Sequence, residues 1–327
     1  MKKTYITDIA VAIIFFNRPG ALAETFAAVA KARPSRLYLI QDGARDNKPS
    51  DATKVEECRN IVDNVDWQCK VTRMYSDKNL GCVMRMFSGL SEVFEKEEFL
   101  VVIEDDIVIG KDMLPFCKEM SIRYKDDERI GRVCGMNHIG IYEECPYSYF
   151  FSMRGGSCWG WATWRRVWKN IEWNFICADD KYTMDIYPLS VQPRIEGYNF
   201  KNMVESRVKS IKEGKKQSSW SVQFIFTCCF LQNRLTIVPQ KNLISNIGLG
   251  EENVHSTGAL CYIPRGLRPV YYGKRYELPK PYKHPQYIVD DIRYIYRRDK
   301  IMGVTKFAKY SRLLEATLYK ILPFFGK

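Results

Sequence analysis

The sequence predicts an α/β protein with a mostly parallel central sheet flanked by helices, followed by a basic helical extension at its C-terminal end. Apolar, strand-like runs alternate with segments of helical period over the first 150 residues, which is typical of a parallel sheet with crossover helices. The first run, Ile9 to Phe16, is continuously apolar, as expected of a strand buried on both faces. Lysine and arginine become frequent after Pro264.

Four strands and three helices are predicted in the first half. The strands are Ile9 to Phe16, Arg36 to Gln41, Cys69 to Tyr75 and Phe99 to Ile103. The helices begin at Pro19, cover Lys54 to Val65, and follow the stripe Val83, Met86, Phe87, Leu90 and Phe94. Pro19 favours a helix start, because its missing N–H would have no partner in the first turn. The stripe recurs every three or four positions, as residues on one helix face do.

The composition changes after about residue 150, where Trp and Gly become frequent. Trp161, Trp164 and Trp168 recur at i, i+3 and i+7, which predicts one face of a helix. The other elements predicted here are a helix over Tyr198 to Lys216, a buried element of either type over Trp220 to Leu231, a strand over Leu235 to Val238, and basic helices over Tyr287 to Arg298 and Val304 to Leu322.

Composition indicates an ordinary globular protein of 327 residues, with 46% hydrophobic and 27% charged residues. The apolar runs are far shorter than the roughly 18 residues that span a bilayer, and the start of the chain lacks the pattern of a secretory signal. Eleven cysteines are scattered without a C-x-x-C pair, which favours buried free thiols in a reducing compartment. We therefore expect a cytoplasmic protein.

Three adjacent acids, Glu104, Asp105 and Asp106, directly follow the fourth predicted strand. Adjacent carboxylates repel one another and lose hydration at the end of a buried strand, so a cation or hydrogen-bond donors must offset their charge. Ligand sites of α/β sheets lie at this end of the strands, and Mn²⁺ or Mg²⁺ bound by carboxylates and phosphate oxygens suits the position. The alternative is an acidic turn that caps the next helix, for which Asp112 is nearer.

The run from Phe99 to Asp106 resembles the donor-metal motif of the N-acetylglucosaminyltransferase I-like branch of the GT-A glycosyltransferases, and residues 9 to 257 resemble related bacterial glycosyltransferases. This resemblance implies the GT-A nucleotide-diphospho-sugar transferase fold. It implies that Asp106 binds the metal ion and that Glu104 and Asp105 contact the nucleoside.

Further residues resemble the donor pocket of that family. Asn17 and Arg18 after the first strand, and Asp42 after the second, match its nucleotide loops, where the ends of parallel strands independently favour a nucleotide. Asn79 and Arg85 match the segment that faces the diphosphate, where a cation or a helix N-terminus neutralises phosphate. The alternatives are a generic turn, a helix start, and a helix cap with a surface arginine.

Two later blocks extend the resemblance. Trp159, Gly160 and Trp161 match a loop placed against the donor sugar and the acceptor, and aromatic faces suit the apolar faces of sugars. His255 follows a motif near the donor phosphates, where a neutral imidazole can complete a metal shell. The alternatives are core packing for the tryptophans and a solvated loop for the histidine.

The catalytic base is where the sequence departs from the family. Relatives carry an Asp after a Trp, whereas Ser221 follows Trp220 here. Inversion requires a carboxylate that takes the proton of the acceptor hydroxyl, and a serine cannot do this alone. Asp179 and Asp180 are the substitutes we predict, with a solvated loop as the alternative. If neither serves, the chain is a weakened or inactive relative.

The basic extension admits three interpretations. Residues 266 to 327 contain 14 Lys and Arg against 5 Asp and Glu, hence +9 of the net charge of +12. Tyrosine and phenylalanine alternate with these charges, as in helices that lie on anionic membranes. The alternatives are a solvated helix pair and a nucleic-acid binder, but no nucleic-acid motif accompanies the charge. We expect no nucleic-acid partner, and the oligomeric state stays open.

Together these features predict a metal-dependent, inverting glycosyltransferase that transfers a sugar from a nucleotide-diphosphate donor, with a UDP-sugar favoured, to a glycan or glycolipid in surface polysaccharide assembly. The predicted catalytic domain covers 1–264, with a nucleotide-sugar half (1–150) and an acceptor half (151–264), and the extension covers 265–327. The rivals are a glycan- or partner-binding relative without activity, and a sugar nucleotidyltransferase, which would normally carry a Gly-rich, Lys-bearing loop that Phe16 to Ala21 lacks.

Overall fold

The structure is a computed structural model that describes residues 2–191, 194–215, 217, 219–249, 263, 265–302 and 306–321. Its strands are β1 (Thr7–Phe15), β2 (Pro34–Gln41), β3 (Lys70–Tyr75), β4 (Phe99–Glu104), β5 (Ile107–Ile109), β6 (Ile130–Cys134), β7 (Tyr149–Ser152), β8 (Trp161–Trp164), β9 (Leu235–Pro239) and β10 (Ile244–Asn246).

The α-helices are α1 (Pro19–Ala32), α2 (Ser50–Val62), α3 (Cys82–Phe94), α4 (Met113–Arg123), α5 (Arg165–Trp168), α6 (Lys181–Ser190), α7 (Arg194–Lys212), α8 (Ser221–Phe224), α9 (Ile292–Met302) and α10 (Lys306–Ile321). Short 3₁₀ helices cover Ile176–Asp179 and Arg265–Val270, and a π-helical segment, Ile225–Leu231, continues α8.

Eight strands form one sheet in the order β3-β2-β1-β4-β8-β6-β9-β7, and β10 pairs with β5 in a small second sheet. The strands β3, β2, β1 and β4 are mutually parallel, β6 and β9 run the same way, and only β8 and β7 are antiparallel. The predicted fold class, a mostly parallel α/β sheet flanked by helices, is confirmed.

The topology creates a crevice between β1 and β4. The chain builds β2 and β3 on one side of β1 and then places β4 on the other side. Connections that diverge on opposite sides of a strand leave a ligand crevice at its carboxyl end. Because Ile14 pairs with Glu104, the loops that follow β1 and β4 start side by side.

Packing of the first half follows the predicted apolar patterns. Residues 10 to 13 of β1 are fully buried, as expected of a strand covered on both faces. The predicted stripe of α1, Leu22, Phe26 and Val29, is buried. The stripe of α3 is also buried, except for the partly buried Phe87. Gly89 lets α3 approach β2 closely, since a Cβ there would lie 2.6 Å from Ile40 Cγ2.

The predicted helix through Trp161 and Trp164 is wrong. These residues begin and end β8, which lies antiparallel between β4 and β6, and the helix starts only at Arg165. Pairing with two strands distant in sequence overrides the local spacing. All three tryptophans are core residues: Trp161 stacks on Trp220, Trp164 meets Phe99 edge-on, and Trp168 stacks on Phe94.

The element of undecided type, Trp220 to Leu231, is helical, with α8 continuing into the π-helical segment. It packs against α6 and α7 in a second hydrophobic cluster, separate from the main core, that includes Phe175, Met184, Tyr187, Val204, Phe226 and Phe230. Cys228 and Cys229 are buried on the opposite side, in the main core.

The basic segment is anchored on the sheet through α9. This helix begins at Ile292 rather than Tyr287, because Asp290 still bridges to Phe151 of β7 and Asp291 accepts a hydrogen bond from Tyr294 N. Tyr294 is fully buried between Tyr142 and Phe150. Within the described ranges, no helix combines the length and the apolar content needed to cross a bilayer.

We predict that Tyr294→Ala lowers the free energy of unfolding by about 3 kcal/mol, because it leaves a large cavity in the aromatic cluster. Its hydroxyl also accepts a hydrogen bond from His138 N at 3.1 Å, which the variant loses. Tyr296→Ala is the matched control, since Tyr296 is 55% exposed, and it should change stability by less than about 0.5 kcal/mol. Urea denaturation measures both. Equal effects would contradict the anchoring of α9.

Candidate functional site

Four parallel strands bring their carboxyl ends to one edge of the sheet. The loops that follow them carry Asn17 and Arg18 after β1, Asp42 after β2, Asn79 after β3, and the acids 104 to 106 at the end of β4. Asn17 and Asp106 are 89 positions apart in sequence (106 − 17), and the sheet brings all of these residues to the crevice between β1 and β4.

Arg18 connects the two loops across the crevice. Its guanidinium forms an ion pair with Asp105, with a second contact from Nε to Oδ2 at 3.3 Å, and it also donates to Asp106 Oδ2 at 3.0 Å. The backbone N–H of Phe16 donates to Asp105 at 3.4 Å, and Thr25 Oγ1 of α1 donates to Asp105 O at 3.0 Å. The Asp105 side chain is therefore a structural anchor, 5% exposed.

Negative charge exceeds positive charge at this point. Burial, followed by the neighbouring Asp106 and Asp105, raises the pKa of Glu104 from its ordinary 4.5 to about 8. Burial also raises the pKa of Asp105, although Arg18 acts in the opposite direction. Among the residues that the structure describes, one guanidinium faces three carboxylates, so the cluster favours an additional positive charge.

Asp106 presents its carboxylate to a glycine. A Cβ at Gly248 would lie 2.1 Å from Asp106 Oδ2, so a side chain at that position would displace the Asp106 carboxylate. The Asp106 side chain is 15% exposed, and its backbone oxygen accepts from Ile247 N at 2.9 Å. The segment that contains β10 and Gly248 thus forms the wall opposite Arg18.

Aromatic residues complete that wall. Tyr271 bridges to Asn246, and burial together with the charge of Asp106 raises the pKa of its hydroxyl to about 12. The ring of Trp159 meets Tyr271 edge-on at 5.3 Å between centroids and is only partly buried. Tyr272 pins the loop, since its hydroxyl donates to Ile247 O and Leu249 O at 2.9 Å each.

Asp42 and Asn79 are hydrogen-bonded to each other, and both bind backbone groups of the loops that follow β2 and β3. Asn79 Nδ2 donates to Asp42 Oδ2 at 3.1 Å and to Gly43 O at 2.8 Å. The Asp42 carboxylate also accepts from Leu80 N at 2.8 Å and Gly81 N at 2.9 Å. This network places the start of α3, which no described side chain caps, beside the acids. The proximity is seen at Cys82, the first residue of α3. Desolvation, followed by the charges of Glu104 and Asp105, raises the pKa of its thiol to about 12.

Two predicted ligands have structural partners instead. Arg85 is buried and donates from Nε to Gln41 O at 2.9 Å and from its terminal nitrogen to Met74 O, at the ends of β2 and β3. Its guanidinium thus joins two strands rather than facing a phosphate. Asn17 Nδ2 donates to Asp51 Oδ1 at 2.8 Å, which ties the first loop to α2.

In the loop of Trp159, Gly160 and Trp161, two residues are buried and one is partly exposed. Trp161 is fully buried against Trp220 and Phe224, so its ring cannot stack on a sugar in this structure. Gly160 has a φ of +59° and accepts a hydrogen bond from Gly135 N at 2.7 Å. Of the three predicted residues, Trp159 alone is partly exposed.

Arg132 holds this loop from the core side. The sequence analysis did not single it out. The side chain is fully buried on β6 and donates to Gly155 O at 3.1 Å, Cys158 Sγ at 3.3 Å and Thr236 Oγ1 at 2.8 Å. Tyr271 was missed as well, whereas Gly248 belongs to the motif that precedes His255. A buried arginine in a strand is the one sequence signal that was available, because an unpartnered charge is rarely buried.

Asp179 and Asp180 lie on the segment that packs against α6 and α7. Asp180 caps α6, accepting from Tyr182 N at 3.0 Å and from Thr183 Oγ1 at 2.6 Å. Asp179 is exposed and pairs with Lys212 at 3.6 Å. Neither contacts the acids after β4 in the hydrogen bonds and ion pairs of the described segments, and their catalytic role stays a prediction. His255 lies outside the described residues.

Asp106 fits a divalent cation that takes most of its ligands from a substrate. Among the residues that the structure describes, no three His, Cys, Asp or Glu side chains form a complete metal cage. Cations held by one or two carboxylates plus phosphate oxygens need no such cage. The excess negative charge is the observation that matches such an ion.

A groove of about 900 Å³ lies elsewhere. It is bordered by α1, β5 and the segment from Arg275 to Lys280. None of the predicted site residues lines it, and its charges are of both signs, with Lys111 paired to Glu277 at 2.6 Å. The candidate site therefore stays at the β1/β4 crevice.

Comparisons with known proteins identify no family. No protein-family model matches the sequence, and no curated protein is similar to it. Among solved structures, the fold is similar to a UDP-glucose pyrophosphorylase complexed with UDP-glucose, with a TM-score of 0.33 and 10% identity over 72% of this chain and 91% of that one.

Two further structures show similar agreement. A 4-diphosphocytidyl-2C-methyl-D-erythritol synthase from Anaerococcus prevotii DSM 20548 gives a TM-score of 0.31 and 11% identity over 60% of this chain and 83% of that one. Mouse xyloside xylosyltransferase 1, in its apo form, gives 0.35 and 10% over 71% and 84%. All three TM-scores are too low to assign an activity.

We predict that Glu104→Gln becomes more stable relative to the unsubstituted protein as the pH rises from 7 to 8.5, by about 1 kcal/mol without added metal. With its pKa near 8, Glu104 is largely protonated in the folded protein at pH 7 and ionised when unfolded. Its contribution to stability is therefore lost as the pH rises through 8. Taking the difference between the two proteins cancels the other titrating groups.

Glu95→Gln is the control for this prediction, because Glu95 is exposed on the surface. Its stability difference should stay constant over the same pH range. Urea midpoints at several pH values measure both variants. A constant difference for Glu104→Gln would show that the carboxylate is not held in a negatively charged, buried position.

Proposed function

We propose that this protein is a nucleotide-sugar-dependent glycosyltransferase that acts at the β1/β4 crevice and uses Mn²⁺ or Mg²⁺ bound at Asp106. The donor is a nucleoside-diphosphate sugar, with a UDP-sugar favoured, and the acceptor is a glycan or glycolipid. The observation that carries the proposal is the meeting of Arg18 with Asp105 and Asp106 at the switch point of a parallel sheet. The resemblance of residues 99 to 106 to the donor-metal motif of GT-A enzymes supports the same activity.

The donor diphosphate has three partners in this proposal. A divalent cation, when bound, stabilises the growing charge of the departing nucleoside diphosphate. The Asp106 carboxylate holds that ion, and Asp105 keeps Arg18 directed into the crevice. The uncapped N-terminus of α3, which the Asp42 network places beside the acids, offers backbone N–H groups to phosphate.

The opposite wall holds the sugar and the acceptor. Trp159 and Tyr271 form an aromatic corner beside Asp106, and aromatic faces bind the apolar face of a sugar while polar groups ring its edge. Arg132 keeps the Trp159 loop in place from the core. Fixing donor and acceptor in this geometry contributes to rate by orientation.

The base for an inverting displacement is the open part of this proposal. Ser221 stands at the position that resembles the family's aspartate, and its hydroxyl contacts Ser219 Oγ at 3.1 Å. Asp179 and Asp180 remain the proposed substitutes, and both would have to exchange their present partners to reach an acceptor. Loss of sugar transfer with retained donor hydrolysis in Asp179→Asn or Asp180→Asn would identify the base.

We predict that the protein slowly releases nucleoside diphosphate from a nucleotide-sugar in the presence of Mn²⁺, and that Asp106→Asn reduces this rate by at least about 100-fold. Asp126→Asn is the matched control, since Asp126 is an exposed acid after α4, and it should keep full activity. A screen of donors by thermal shift with Mn²⁺ selects the nucleotide-sugar for the assay, because a ligand of the folded state raises its stability.

Product identity separates this proposal from its rivals. Release of nucleoside diphosphate supports a glycosyltransferase, whereas release of pyrophosphate on supplying a sugar phosphate and a nucleoside triphosphate indicates a nucleotidyltransferase. Binding of the nucleotide-sugar without any product indicates a non-catalytic relative. Full activity of Asp106→Asn would show that Asp106 does not bind a catalytic metal ion.

A further inference from the structure

Exposed apolar side chains concentrate in the last part of the chain. Of the 21 large hydrophobic residues that are exposed in the described segments, 10 lie between Tyr272 and Leu318. Scattered single residues of this kind are normal on protein surfaces, but a contiguous group marks an interaction site. Five of the ten lie on α10.

The apolar residues of α10 form a stripe along one side of the helix. Phe307, Tyr310, Leu314 and Leu318 follow one another at spacings of three, four and four, which places them within one face, and Leu313 borders it. These five side chains are between 50% and 83% exposed. A face this apolar and this exposed is expected to have a partner.

The amino-acid sequence of α10 is basic. The sequence of α10 contains Lys306, Lys309, Arg312 and Lys320 but a single acid, Glu315. Upstream, α9 adds Arg293, whose side chain is 77% exposed. A helix with an apolar face and basic remainder is the composition that binds anionic membrane surfaces, where each cation near the surface adds to the attraction.

The helix is attached to the segment that borders the candidate site. Arg268 donates to Glu315 Oε1 of α10 at 3.0 Å, and Tyr271, three residues after Arg268, lies beside Asp106. The preceding α9 is rooted in the core through Tyr294. A surface bound by α10 would therefore hold the crevice at a defined place relative to that surface.

We propose that the Phe307–Leu318 stripe of α10 docks on the surface of an anionic phospholipid bilayer, with the helix lying in the interface. This inference goes beyond the proposed function and does not depend on it. A lipid partner fits better than a second copy of the chain, because two copies would bring together segments that each carry a charge of +9 over residues 266 to 327. Anionic lipid matches both the charge and the apolar stripe.

Cosedimentation of the full chain with vesicles tests the proposal. Vesicles of mixed phosphatidylglycerol and phosphatidylcholine should bind the protein at least about tenfold more tightly than phosphatidylcholine alone, and high salt should weaken that binding. The double substitution Leu314→Glu with Leu318→Glu should reduce binding to the mixed vesicles by about tenfold or more. Ile122→Glu is the matched control, since Ile122 is 66% exposed on α4, and its binding should not change.

Three further measurements keep the result interpretable. The melting temperature of the double variant should equal that of the unsubstituted protein, because both leucines are exposed. Hydrogen exchange of the unsubstituted protein should show that amides of residues 306 to 321 gain protection on the mixed vesicles, which requires no variant at all. Release of nucleoside diphosphate from a soluble donor should be the same in the double variant and the unsubstituted protein.

Several outcomes would overturn the proposal. Equal binding to neutral and mixed vesicles would show that charge does not contribute to binding. Unchanged binding of the double variant would show that the stripe does not contact the vesicle. Sedimentation velocity that shows a dimer, converted to monomer by the same two substitutions, would assign the stripe to self-association. Unchanged exchange of residues 306 to 321 on vesicles would exclude docking through α10 even if another part of the protein binds lipid.

Discussion

A single guanidinium shared by two carboxylates is the interaction on which the candidate site depends. Arg18 reaches across the crevice from the loop after β1 to Asp105 and Asp106 after β4. Removing one partner of such a pair would leave the other charge buried without compensation, which is far more costly than the pair itself is stabilising. The adjacent strand ends, together with the hydrogen bond from Thr25 Oγ1 of α1 to Asp105 O, keep the three groups together.

Arg18 offsets only part of the negative charge of the three acids, and this excess charge links the fold to the proposed chemistry. The Asp105 carboxylate accepts hydrogen bonds from Arg18 and from the backbone N–H of Phe16. Asp106 lies against Gly248, and the pKa of Glu104 is raised to about 8. A protein that held these acids only for stability would place more donors around them. This excess negative charge is what the proposed cation and its phosphate ligands would offset.

Local patterns in the sequence predicted the parts of this site that depend on local structure. The buried strands β1 and β4, the acids at the end of β4 and the loop residue Arg18 were all visible, because strand burial and a charged strand end are properties of short segments. Trp161 and Trp164 were misassigned because a spacing of three suits a helix, and their pairing partners in β4 and β6 lie far away in sequence. No motif marked Tyr271, since it becomes part of the site only when a distant segment folds against Asp106. Arg85 shows a further limit: its type suits phosphate, but the direction of its side chain is decided by the carbonyls of Gln41 and Met74.

The most direct test is a crystal structure of the protein with Mn²⁺ and a nucleoside diphosphate, recorded at the manganese absorption edge. We expect an anomalous peak within bonding distance of the Asp106 carboxylate, and a diphosphate that contacts both that ion and the start of α3. Nucleotide bound at another place, or a crevice in which Arg18 still pairs with Asp106 and no manganese appears, would contradict it.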